Sequence, residues 1–295
     1  MTRPPTEQRN PRTTALDLVP TEDAVRMILD EDARAVEAAL AVTGPVAELA
    51  ELVAARLAVG GSLHYFGAGA SGRIAMADAT EATPTFGVPP GMIQAHFPGG
   101  AAALADPTID LEDAEGAGRR DAAAITDRDV VVGISASGRT GYVTGALQVA
   151  RQHGARTALL TCDPAIRPEP VPDHLIVLDT GAEALTGSTR LKAGTATKVV
   201  LNALSTAVMV ALGRTYGNLM ISLTATNAKL RTRSISILEE VSGLPPHRCM
   251  ALLAACDGEL PVAVLAALAE VDPATARMRL ARSVSVRTAL TELGR

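Results

Sequence analysis

The 295-residue chain has 47% apolar residues, enough for a sizeable core, but only 2% aromatics and no Trp. Ala, Val, Leu and Ile must therefore build that core, and the aromatic platforms that stack single-stranded nucleic acid are missing. A net charge of -5 also argues against a nucleic-acid partner, because neutralising phosphates needs clustered Lys and Arg.

Residues 1 to 20, rich in Thr, Pro and Arg, read as an extended arm with no secretory h-region. Thr21 is a suitable N-cap with Glu22 and Asp23 behind it, and Val25, Ile28 and Leu29 recur at helical spacing. A second helix is expected from about Asp32 to Val59, ended by Gly60-Gly61. The period then changes. Short apolar runs follow at Leu63–Phe66, Met92–Ala95, Val130–Ile134, Thr157–Thr161 and Leu175–Leu178, several of them separated by helical stretches. That alternation predicts an α/β fold, a doubly wound parallel five-stranded sheet sandwiched by helices. A long helix is expected over Ser188–Leu212. Its most apolar part, Val199–Leu212, is interrupted by Asn202, Ser205 and Thr206 and reads as a buried helix, too short to cross a bilayer. Beyond Arg231, short helical segments around 235–241, 246–255 and 261–268, and another opened by Asp272-Pro273, predict a small bundle. The expected division is an arm and first helix over 1–30, a sheet domain over 31–230 and a helical bundle over 231–295.

Two glycine loops carry the chemistry. Gly67-Ala68-Gly69-Ala70-Ser71-Gly72-Arg73 and Gly133-Ile134-Ser135-Ala136-Ser137-Gly138-Arg139-Thr140 each follow an apolar run and open a helix. Glycines let the backbone approach an anion, hydroxyls donate to its oxygens, and a helix N-terminus offers unpaired N–H groups. No Gly-x-x-x-x-Gly-Lys-Ser/Thr occurs, and the first loop lacks the acidic strand-end partner of a dinucleotide site. One phosphorylated ligand held from two sides fits better. Arg73 and Arg139 fit that ligand or, equally, an ion pair at the helix start. Two acidic groups lie nearby in sequence: Glu81, where Thr83-Pro84 is expected to end the helix opened by Ser71, and Glu112 in Asp110-Leu111-Glu112-Asp113. Paired carboxylates suit acid and base work, although most Glu residues are merely solvated. His64, inside the first strand, reads as a packed, hydrogen-bonded histidine. Cys162, Cys249 and Cys256 match no zinc pattern and no disulfide framework, which points to a reducing cytoplasm.

Several long motifs extend these loops. Thr6-Glu7-Gln8-Arg9-Asn10, the first loop with Asp78-Ala79-Thr80-Glu81-Ala82-Thr83-Pro84-Thr85-Phe86-Gly87, the second loop, Thr186 to Lys198, and Gly217-Asn218-Leu219-Met220 resemble the N-acetylmuramic acid 6-phosphate etherases of the sugar-isomerase (SIS) domain superfamily. The resemblance covers nearly the whole chain and implies a SIS-type sheet with a C-terminal bundle like a ubiquitin-associated (UBA) domain. It implies a lyase of cell-wall sugar recycling that removes D-lactate from N-acetylmuramic acid 6-phosphate. No metal or organic cofactor is implied, and the expected partner is a second copy of the chain, with neither nucleic acid nor membrane. The family's acid and base positions fall on Glu81 and Glu112. For the phosphate, Ser71, Ser135, Ser137 and Thr140 with the loop N–H groups are the expected ligands, Gly72 and Arg73 completing the substrate-binding set, and Lys192 fits either a neighbour's substrate across a dimer or, equally, a solvated surface. Departures occur at Ala70, around Glu81 and Glu112, and at Gly141 where the family has Pro. They keep alive two rival expectations, a sugar-phosphate-binding regulator without turnover and an aldose-ketose isomerase.

Overall fold

A computed structural model of the protein describes residues 3–106, 108–225 and 227–294; Met1, Thr2 and Arg295, the outermost positions of the expected arm and bundle, lie outside them. The arm is turned rather than plainly extended. It opens with a 3-10 turn over Pro5–Glu7, and the Asn10 amide and Thr13 hydroxyl donate to the Ala182 and Ala184 carbonyls at 3.1 and 2.8 Å.

Helices α1 (Thr21–Ala41) and α2 (Thr43–Ala58) follow. The sequence places their junction near Asp32, but nothing there breaks a helix, and α1 continues to Ala41. The break falls instead at Val42, where the axes turn by 59° and Pro45 enters the first turn of α2, a position proline tolerates. Strand β1 (Leu63–Gly67) leads into α3 (Gly69–Phe86), then β2 (Ile93–His96), α4 (Gly100–Ala105), α5 (Glu115–Asp121), β3 (Val130–Ile134), α6 (Gly141–Gln152), β4 (Arg156–Thr161), β5 (His174–Val177) and α7 (Lys192–Ala211). Helix α3 runs through Pro84, past the expected stop at Thr83. Pro84 is accommodated in its last turn.

All five strands are parallel in the order β2-β1-β3-β4-β5, as the apolar runs predict. Every residue of β1 and β3 is buried, which is why these strands read as continuous apolar runs rather than alternating ones. Phe66, Val131 and Leu159 on the sheet pack with Ala117, Tyr142, Val143 and Leu147 of α5 and α6. Strand order reverses between β1 and β3, and their register sets Gly67 beside Ile134. Both glycine loops therefore leave one sheet edge at the topological switch point, where ligands of open α/β sheets bind.

The chain divides into two compact units, one running through Thr80 and resuming over Gly91–Thr206, the other comprising Glu81–Pro90 and the chain from Ala207 onward. The second boundary falls before residue 231 because Ile221 and Leu223 already belong to the core of the helical unit. Helix α7 is long and apolar enough to cross a membrane by length and composition alone. Ala193, Ala196, Val200, Leu201 and Leu204 are nonetheless buried in the protein, as a core helix requires.

The helical unit contains α8 (Ala228–Ser242), α9 (Pro246–Ala255), α10 (Leu260–Ala269), α11 (Pro273–Leu280) and α12 (Val286–Glu292). The Asp272 side chain accepts from the Ala274 and Thr275 N–H groups, the cap that Asp272-Pro273 signals. Ser285 likewise caps α12, a helix the sequence pattern does not reveal. Leu238, Cys249, Cys256, Ala263 and Leu265 form this unit's core.

Candidate active site

The first loop closes tightly on its helix. A Cβ on Gly72 would be driven into the Gly67 carbonyl oxygen and stand 2.6 Å from the Phe97 ring, and Gly69 has φ +53°, a left-handed conformation that favours glycine. The Gly72 N–H, expected on the phosphate, instead donates to the Ala68 carbonyl at 3.0 Å. Gly72 serves by its missing side chain. Ser71 is half-buried in the first turn of α3, where the backbone N–H groups lack helical partners. The Arg73 guanidinium lies 5.1 Å above the Phe97 ring and donates to the Leu104 carbonyl at 3.4 Å.

A chain of hydroxyls runs along the second loop. Ser135 and Thr140 are buried; their hydroxyls lie 2.8 Å apart, and those of Ser135 and Ser137 3.4 Å apart. The Thr140 hydroxyl donates to Glu112 Oε1 at 3.0 Å. Its proton thus spent, it can only accept from Ser135, so the order is Ser135 to Thr140 to Glu112. Arg139 forms the ion pair that its sequence left open, 2.7 Å from the buried Asp163.

Glu112 itself is exposed, yet its backbone is held at both ends. Its N–H donates to Asp110 Oδ1 at 3.1 Å, and its carbonyl accepts from the Tyr142 N–H at 2.9 Å. Close packing at two glycines of α6 makes this possible. A Cβ on Gly141 would lie 2.7 Å from the Asp113 carbonyl oxygen, and one on Gly145 would be driven into that of Glu115. In this chain Gly141 and Gly145 together leave room for the backbone of Asp113 and Glu115 against α6. The Asp-x-Glu spacing carried a signal for the Asp110 contact. The Thr140 and Tyr142 contacts, across some thirty residues, carried none.

A cleft of about 210 Å³ joins the two parts, lined by Ala68, Gly69 and Arg73 on one side and Asp110, Leu111 and Glu112 on the other. The first loop, Glu112 and, through Thr140, the second loop are therefore brought together. Glu81 and Lys192 are not among the cleft residues. Glu81 is exposed on α3 and belongs to the second unit. Lys192, expected as a substrate ligand, is fully buried; its Nζ donates to Glu31 Oε2 and to the Ala182 carbonyl, each at 2.7 Å. Its place is that of an internal counter-ion, in a network built from the arm, α1 and α7 that no sequence spacing announces.

The remaining polar groups near β1 are internally satisfied. His64 Nδ1 lies 3.0 Å from His96 Nε2, and burial, with the neighbouring His96, pushes His64 down to about 4. His64 is thus the packed, hydrogen-bonded residue expected. Buried Asp78 accepts from the Tyr65 hydroxyl, the Asn202 amide and the Ser205 hydroxyl, while its burial pushes the carboxyl up. Among the described residues no group of three or more His, Cys, Asp or Glu side chains is arranged to hold a metal ion.

A SIS domain model matches residues 31–162, the stretch that includes both loops and Glu112. An N-acetylmuramic acid 6-phosphate etherase of Thermobifida fusca is 48% identical over 266 residues, covering 90% of this chain and 88% of the relative. One of Rubrobacter xylanophilus is 46% identical over 289 residues, covering 97% and 96%. Among solved structures, a phosphoheptose isomerase from Francisella tularensis superposes with a TM-score of 0.51 at 16% identity, over 64% of this chain and 98% of that one. That likeness is one of fold.

Proposed function

Because the chain belongs to the N-acetylmuramic acid 6-phosphate etherase family, we propose that its cleft anchors the 6-phosphate of N-acetylmuramic acid 6-phosphate and that Glu112 works on the sugar's C2 proton. The protein is a carbon–oxygen lyase that yields N-acetylglucosamine 6-phosphate and D-lactate. In the open-chain sugar the C2 proton is acidic because the C1 aldehyde takes up the electron pair. Glu112 accepts that proton, the C3–O bond breaks, and lactate departs with a proton from the acid partner. Water then adds at C3, giving its proton to that partner, and Glu112 returns the first proton to C2. The chain of hydroxyls that ends on Glu112 at the cleft is the single observation that carries this reading.

Ser71, Ser137, Arg73 and the N–H groups of the α3 first turn suit the phosphate. Ser135 and Thr140 suit Glu112. The acid partner is Glu81, which we infer comes from a second copy of the chain in a homodimer. Glu81 is exposed on α3 and is not among the residues that line the cleft. Three buried free cysteines fit a reducing cytoplasm as the setting.

Incubation with N-acetylmuramic acid 6-phosphate in ¹⁸O-labelled water tests the reading. We expect D-lactate and label at C3 of the product; lactate with no label at C3 would overturn the elimination and hydration sequence. Glu81→Gln is expected to abolish lactate release and keep phosphate binding. Tight sugar-phosphate binding by the wild type with no lactate would instead favour a regulator without turnover.

A further inference from the structure

The cleft is not uniformly polar. Its lining holds a cation, Arg73, and an apolar group, Phe97, Ala103, Ile109 and Leu111, that includes the residue next to Glu112. Phe97 and Ala103 are buried, whereas Ile109 and Leu111 are 39 and 37% exposed. Gly99 lets these side chains converge. A Cβ there would stand 2.8 Å from that of Ala103, 3.2 Å from Leu111 Cδ1 and 3.5 Å from Ile109 Cγ2. Three apolar side chains thus meet over one bare glycine, and two of them keep surface open at the cleft. An apolar group that enters and covers that surface is favoured.

Asp110, between Ile109 and Leu111, also lines the cleft. Its Oδ1 accepts from the Glu112 N–H at 3.1 Å, which fixes the carboxylate and leaves most of its acceptor capacity unused. An acceptor beside an apolar wall suits an acylamino group, whose N–H meets the oxygen and whose alkyl end meets the wall. Glu112, in the reading above, takes the proton from C2. That carbon is the one that carries the substrate's acylamino group. The lactyl group on C3 departs toward the acid partner, not toward Glu112.

We propose that Ile109 and Leu111, with Phe97 and Ala103 beside them, form a wall for the acyl chain of the 2-acylamino group and give the cleft a preference for N-acyl sugar phosphates with chains longer than acetyl. An acetyl group brings one methyl to the wall. Two side chains hold open surface there, so a longer chain covers more of it. The inference rests on the placing of C2 at Glu112, but its readout is binding. Acyl preference and lactate release can therefore fail independently.

Isothermal titration calorimetry on the full chain tests it with N-acetyl- and N-propionylglucosamine 6-phosphate. Both lack the lactyl group, so any difference between them belongs to the acyl chain. The wild type is expected to bind the propionyl compound about fourfold more tightly, as one buried methylene predicts. In Ile109→Ser with Leu111→Ser the ratio should fall to about one, whatever the absolute affinities. Equal, weaker or undetectable binding of the propionyl compound by the wild type, or a ratio that survives both serines, would overturn the wall. Lactate release without an acyl preference removes the wall alone, and an acyl preference without lactate leaves the wall in a protein that binds without turnover.

Discussion

Thr140 shows how one hydroxyl can have two incompatible duties. On phosphate it would be one of several donors; in the structure its proton goes to Glu112 Oε1, and Ser135 stands behind it. A hydrogen bond to a charged group is worth about 1.5–3 kcal/mol, so Thr140→Val is expected to lower kcat by about ten- to a hundredfold with KM little changed. Thr140→Ser, which keeps the hydroxyl, should restore most of the rate. Steady-state kinetics decides between the duties: a raised KM with unchanged kcat would return Thr140 to the phosphate, because loss of uniform binding has that signature. The residue types of this site were legible in the sequence because glycine, serine and carboxylate near strand ends have few other uses together. Their division into phosphate holders and Glu112 holders was not, since it depends on which proton faces which oxygen.

Among the elements, the strands were the readable part. Continuous apolar runs such as Val130–Ile134 admit few alternatives once glycine follows them. Helix ends were less readable: α1 passes Asp32 and α3 passes Thr83, because capping residues and prolines bias a terminus without fixing it, and packing decides. The start of α3 illustrates the stronger constraint. A Cβ at Gly72 meets the Gly67 backbone and the Phe97 ring, whereas one at Gly69 meets open space and only the strain of a positive φ. Gly69→Ala should therefore cost about 1–2 kcal/mol. Gly72→Ala should cost more and weaken phosphate binding, because Gly67 and the strand end must move. Urea unfolding of both variants checks the order, and a Gly72→Ala protein as stable as the wild type would show that the loop has slack.

At the scale of the whole chain, the first unit is tied together by one buried charge. Glu31 on α1 receives Arg12 from the arm and Lys192 from the start of α7, residues far apart in sequence and invisible to any pattern of spacing. The Arg12 guanidinium, with the Lys192 ammonium behind it, holds the Glu31 carboxyl at about 2 although burial alone would push it up. A carboxyl lowered in the folded state adds stability above its unfolded pKa, near 4.5, and that contribution drains away as pH falls through the folded value. The window is thus roughly pH 4.5 down to 2. Lys192→Met leaves the buried Glu31 carboxylate with Arg12 as its cation and breaks the buried pair, and should cost about 3 kcal/mol at neutral pH. Arg12 is half-exposed, so solvent screens its share and Arg12→Ala should cost nearer 1 kcal/mol. In that variant the Glu31 carboxyl rises toward its ordinary value, moving the acid-unfolding midpoint to higher pH. The stability gap from the wild type should therefore close between pH 4.5 and 2, as Glu31 takes up its proton in both proteins. Urea unfolding across that range is the measurement, and a gap that stays constant with pH would mean Arg12 acts on the arm's packing and not through the charge of Glu31.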